Sequence, residues 1–171
     1  MSKWKWIIIF TVISTLLSIP SFYMIGDYFK GATFESGNEA GSADCDTSLW
    51  KHVYSPERLQ VIDECMEVTG TVEEVSNESD GDFHIGLKLD EPYSDLINRE
   101  NVDNQNGDLV VEAVCAVKAA QPFAMRACQG FSSSITVPPV GAHVKVTGSY
   151  VLDTNHGWME IHPVSRIEVA G

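Results

Sequence analysis

Acids and imidazoles gather at two places in this sequence. One is Asp80-Gly81-Asp82, which leads into His84; the other begins with Asp153 and His156 and runs on through Trp158, Glu160 and His162. In an extended chain, i, i+2 spacing sets Asp82 and His84 on one face, and Glu160 and His162 likewise. Carboxylates and imidazoles together can hold a divalent ion such as Zn or Mn and leave a position open for water. Asp82, His84, His156, Glu160 and His162 are therefore the candidate ligand or metal residues, and a metal-dependent hydrolase built on Asp82, His84, His156 and Glu160 would use Glu160 as general base. The competing expectation is structural and is favoured. Asp-Gly-Asp is an ordinary turn, and Asp and His side chains often bond only nearby backbone, so no cofactor is required. Trp158, Ile161 and Pro163 then serve to close a barrel, while His52 and His143 are single imidazoles expected at the surface or in packing.

Other chemistries have less support. The serines of FSSSIT lack a G-x-S-x-G elbow, and no phosphate-cradling glycine loop occurs. The chain has 11 Lys+Arg against 24 Asp+Glu, a net charge of −13, and no basic cluster occurs after Lys30. A nucleic-acid partner is thereby disfavoured, because phosphate binding needs clustered cations that displace counterions. The four cysteines, Cys45, Cys65, Cys115 and Cys128, have no C-x-x-C pair to suggest zinc. Their even number suggests disulfides. Three pairings exist, and spacing favours Cys45 with Cys65 and Cys115 with Cys128. Asn77-Glu78-Ser79 is a formal glycosylation acceptor.

The elements that must position these residues are mostly strands. Val68 to Val75 alternates with period two, and Phe83, Ile85, Leu87 and Leu89 alternate with His84, Gly86 and Lys88. Leu109 to Val117 is an apolar third strand interrupted by Glu112, Ala142 to Tyr150 a fourth, and Trp158 to Val169 a fifth, broken at Pro163. Before them, Ser55-Pro56-Glu57 has the chemistry of a helix start, and Leu59, Ile62 and Met66 recur at helical spacing, which predicts a short helix. One helical turn is expected near Ser94 to Arg99. Five strands with a long connection between the third and fourth suggest a closed Greek-key barrel.

Ahead of this domain, Lys3 and Lys5 precede an uncharged run of 20 residues from Ile7 to Gly26, flanked by Trp4, Trp6 and Tyr23. At ~1.5 Å per residue such a helix matches a ~30 Å hydrocarbon core. The lysines predict a cytoplasmic N-terminus, so the downstream chain faces outward, whether the segment is a retained transmembrane anchor or a cleaved signal. Residues 1–26 are thus read as anchor or signal, 27–44 as a flexible Gly/Ser/acid-rich tether, and 45–171 as the domain. The 145 residues after Gly26 carry a charge of −15 and suit one core.

Val68-Thr69-Gly70-Thr71-Val72 and the stretch from Pro138 to Tyr150 resemble the first and penultimate strands of OB-folds. DGDFHIGLKLD together with HGWMEIHPV is similar to a motif pair of exported archaeal and bacterial domains, over about Glu67 to Val169. The resemblance implies a mainly β, OB-like five-stranded barrel and an extracytoplasmic setting, without implying an activity. OB-folds bind ligands across the second and third strands and the loops joining strands one to two and four to five, where the acids and imidazoles lie. The expectation is a membrane-tethered or secreted binding or structural module with a protein or small-molecule ligand; the alternative is the metal-dependent hydrolase.

Overall fold

The computed structural model describes residues 44–170. The expected anchor and all but the last residue of the tether lie outside them. Among the described residues no helix is long and apolar enough to cross a membrane.

Five strands form a mixed sheet that closes in a ring: β1 (Leu59–Asn77), β2 (Phe83–Leu89), β3 (Leu109–Ala113), β4 (His143–Asp153) and β5 (Met159–Val169), in the order β1-β2-β3-β5-β4. All neighbours are antiparallel except β3 and β5, which run parallel. Closure rests on the length of β1. Its 19 residues pair with β4 from Leu59 to Thr71 and with β2 from Gly70 to Asn77, so one strand joins both edges of the sheet. Register shifts at Val61/Asp63, Asp63/Met66 and Val72/Glu74 are the bulges by which a strand bends this far.

The predicted helix over Leu59, Ile62 and Met66 is not formed; these residues begin β1. Ser55-Pro56-Glu57 starts only a 3-10 turn, Pro56–Arg58, and Ser55 makes no side-chain cap. Leu59 is buried while Ile62 is 52% exposed, so the apolar spacing does not define one buried face. Pairing along β4 overrides the local helical signal. The turn expected near Ser94 to Arg99 is replaced by two elements, a 3-10 turn at Glu91–Leu96 and helix α1 (Arg99–Asn104). The third strand stops at Ala113 rather than Val117, and Cys115 beyond it takes a positive φ of 52°. The second strand forms over Phe83–Leu89 with Phe83, Ile85, Leu87 and Leu89 in the interior cluster as expected, but its other face is partly covered, Gly86 being buried and His84 half-buried.

Val68, Val72, Ile85, Leu87, Leu109, Val111, Val144, Val146, Ile161 and Val164 fill the barrel interior. Leu49, Val53, Leu59, Val114, Cys115 and Val151 form a second apolar cluster. Since Tyr150 joins the interior, its neighbour Val151 points to the opposite side, which puts this second cluster outside the barrel. Two disulfides tie down the periphery: Cys45–Cys65, and Cys115–Cys128, which closes the segment after β3 that carries the short helix α2 (Ala124–Ala127). These are the pairings favoured by spacing. Each contributes ~3 kcal/mol in the chain-entropy model.

Gly148 sits where β4 crosses closest to β5. A Cβ there would lie 2.5 Å from Ile161 Cγ2 and 2.6 Å from the Pro163 carbonyl oxygen. Gly148→Ala should therefore cost about 1–3 kcal/mol in urea melts, the usual penalty of an overpacked core. A variant as stable as the parent would mean that the strands do not approach so closely.

Candidate functional site

Strand alternation builds the site. Ile85 and Leu87 of β2 and Leu109 and Val111 of β3 face the interior, so His84 and Glu112 face out, and the ladder sets them opposite each other. On β5, Ile161 faces inward and Glu160 and His162 outward, with Glu160 beside Val110 of β3. His84, Glu112, Glu160 and His162 thus share the outer face of three adjacent strands. That face is not solvated: Glu112 is 8% exposed, Glu160 1% and His162 0%.

Ionisable groups so deeply enclosed must be paired. His84 Nδ1 lies 3.0 Å from Glu112 Oε1, and its Nε2 lies 3.0 Å from Gln105 Oε1. With an oxygen at each ring nitrogen, the protonated ring can donate on both sides. Burial opposes that charge, but the hydrogen bond and charge of Glu112, then the Gln105 oxygen, outweigh it and raise the pKa from 6.5 to about 9. His162 Nδ1 lies 3.1 Å from Glu160 Oε2, while Trp158 Nε1 donates to Glu160 Oε1 at 2.5 Å. Burial disfavours the His162 cation too, yet Glu160, Glu112 and Asp82 raise its pKa. For Glu160 burial pulls upward, and the bonds from His162 and Trp158 with the Arg58 charge hold the carboxyl below its usual range. Glu112 is raised by burial, against the pull of His84 and His162.

Asp82, in the loop from β1 to β2, reaches the same cluster. Its Oδ1 accepts from the Cys115 backbone N–H at 2.7 Å, and its Oδ2 stands 4.0 Å from His162 Nε2. That separation exceeds a hydrogen bond, and His162 Nε2 is buried without a hydrogen-bond partner. Burial first, then the charge of Asp80, pushes Asp82 up to about 7.

His156 flanks this row beside Glu160. It is exposed, its ring stacks on Trp158 with centroids 4.3 Å apart, and its Nδ1 lies 2.9 Å from Asp153 Oδ2. Asp153 is fully buried, paired with Arg58, and accepts from the backbone N–H groups of Asn155 and His156. Asp153, His156 and Glu160 bring one ligand atom each within 4.8 Å of one another, as do Asp82, Cys115 and Cys128. In the second trio both sulfurs are spent in a disulfide; in the first, the Arg58 guanidinium already holds the carboxylate a cation would need. His52 and His143 stay outside: His52 stacks on Phe131, and His143 Nε2 lies 3.0 Å from Asp90 at the surface.

Helix α1 supplies the remaining anchor. Asn98 and Asn101 form a reciprocal capping box, and the buried Asn101 donates to the carbonyls of Asp108 and Met159 and accepts from the Met159 N–H. These bonds fix the helix whose C-terminal neighbour, Gln105, meets His84. Sequence reasoning missed Glu112, Arg58 and Gln105 as site residues. Glu112 carried a signal, a charge inside an otherwise apolar strand, which needs a buried partner. Gln105 and Arg58 carried none.

Compared with known proteins, the chain matches no family model, no curated protein and no solved structure.

The His84 ring holds its proton more tightly folded than unfolded. Its stabilisation is complete below pH 6.5 and is lost as pH rises through about 9. An NMR titration of the His84 ring should give a midpoint near 9, and Glu112→Gln should move it back toward 6.5. A midpoint at or below 6.5 in the parent protein would contradict the pairing.

Proposed function

We propose that this chain is an exported, membrane-tethered or secreted binding or structural module built on an OB-like Greek-key barrel, in which the acid and imidazole cluster is a structural ion-pair network. The strand order β1-β2-β3-β5-β4, with β3 parallel to β5 and the long connection lying between β3 and β4, supports the OB-like reading. Export is supported by Lys3 and Lys5 ahead of the apolar run Ile7 to Gly26, and by two disulfides with no free cysteine among the described residues.

One observation carries the structural role of the cluster. Both nitrogens of His84, both oxygens of Glu160 and both oxygens of Asp153 already have protein partners. An ion would have to break these contacts and sit beside Arg58. The face that OB-folds commonly offer to ligands is here filled by the chain's own side chains, with Gln105 laid across it. A protein or small-molecule ligand would therefore be met at the periphery of this cluster, and the charge of −15 on the residues after Gly26 disfavours nucleic acid as that partner.

Thermal melts with Zn or Mn separate this reading from a metal-dependent hydrolase using Asp82, His84, His156 and Glu160. A structural network leaves the Tm unchanged. Ion binding at ~100 times Kd would add ~2.7 kcal/mol of stability. A rise of that size, lost in His156→Ala, would overturn the proposal.

A further inference from the structure

A groove of about 420 Å³ opens beside the Cys115–Cys128 disulfide, lined by Ala116, Lys118, Met125 and Phe131 as well as by both cysteines. The two cysteines are unequal. Cys115 is 2% exposed, whereas Cys128 is half-buried at the C-terminal end of α2, a helix whose N-cap Phe123 and whose Met125 stand exposed. On the inner side, an Asp82 carboxylate oxygen lies within 4.8 Å of both sulfurs. That carboxylate is almost wholly buried, and its other contacts run to the Cys115 N–H and toward His162. A disulfide that lines a groove, half-buried at Cys128 and backed by a buried carboxyl group, has the parts that thiol–disulfide exchange needs.

We propose that Cys115–Cys128 is a thiol–disulfide exchange centre that accepts electrons from a dithiol, with Cys128 as the attacked sulfur and Asp82 as proton donor to Cys115. A partner thiolate attacks Cys128 Sγ. The Cys115–Cys128 bond breaks, its electron pair goes to Cys115 Sγ, and the Asp82 carboxyl gives that sulfur its proton. The partner's second thiol then loses its proton to water and attacks the partner sulfur of the mixed disulfide. Cys128 leaves as thiolate and takes a proton from water. The partner dithiol is oxidised to a disulfide, the Cys115–Cys128 pair is reduced to two thiols, and Asp82, left as an anion, regains its proton from water.

Around Asp82 stand Asp80 on its own loop, Glu112 on β3 and His162 on β5. With burial, Asp80 and Glu112 favour the protonated carboxyl, while the Cys115 N–H and His162 favour the anion, and the balance falls at about 7. Asp82 can thus donate below that pH, and above it becomes an anion that repels an approaching thiolate. Exchange measured per unit of attacking thiolate therefore falls as pH rises through about 7. The Cys45–Cys65 bridge, whose two cysteines are both half-buried, is the internal reference.

The test exposes the full chain in detergent micelles to reduced dithiothreitol, quenches with iodoacetamide and follows alkylation of each cysteine by peptide mass. Cys115–Cys128 should open at least about tenfold faster than Cys45–Cys65, and Asp82→Asn should slow that opening about tenfold and flatten its thiolate-normalised pH profile. Equal opening of the two bridges, or an Asp82→Asn protein that exchanges as fast as the parent, would overturn the proposal. Should Asp82→Asn fail to fold, the parent profile decides alone: a fall across pH 7 supports the proposal and a flat profile overturns it.

Discussion

The structure depends on enclosing charge on the outside of a barrel. His84, Glu112, Glu160 and His162 occupy the outer face of β2, β3 and β5, where a small barrel ordinarily meets water, yet three of the four are as buried as the core. Removing an ion from water costs several kcal/mol even after relaxation, and only close pairing with further hydrogen bonds offsets it. The pairs His84–Glu112 and His162–Glu160, at 3.0 and 3.1 Å, meet that condition. Gln105 binds the second nitrogen of His84 and Trp158 the second oxygen of Glu160, while His162 Nε2 alone of these ring nitrogens stays without a hydrogen bond.

The peripheral elements answer to this constraint. The capping box and the Asn101 bonds hold α1 against the start of β5, so that Gln105 reaches His84. Arg58 closes the short 3-10 turn that leads into β1 and neutralises Asp153 at the end of β4, next to Glu160 in space. The loop from β1 to β2 brings Asp82 against both His162 and the Cys115 backbone, which links the polar row to the disulfide and to the outer apolar cluster. With the outer face of β2, β3 and β5 filled by the chain's own side chains, the groove at Cys115–Cys128 opens beside that polar row rather than within it.

Much of the barrel was legible in the sequence because its strands alternate cleanly. The stretch from Phe83 to Leu89 has one apolar face and one polar face, and the structure keeps that division. The disulfide pairing was legible from short sequence separations, 20 and 13 residues. The beginning of β1 was not, since Leu59, Ile62 and Met66 satisfy helical spacing while the deciding partner, β4, lies some 90 residues away. Asp82, His84, Glu160 and His162 were legible as a cluster from spacing and loop position. The groups that fill their valences were not. Glu112 meets His84 through strand register, and Gln105 through a helix anchored by asparagines, neither of which leaves a local pattern.

Whether the cluster pairs with itself is measured directly by a double-mutant cycle on His84→Leu and Glu112→Leu. If the two side chains form a buried ion pair, each single substitution strands a charge, and the coupling between them should reach about 2 kcal/mol, with the double variant recovering part of the loss. If the effects of the two substitutions simply add, within about 0.5 kcal/mol, His84 and Glu112 do not form the pair on which the enclosed row depends.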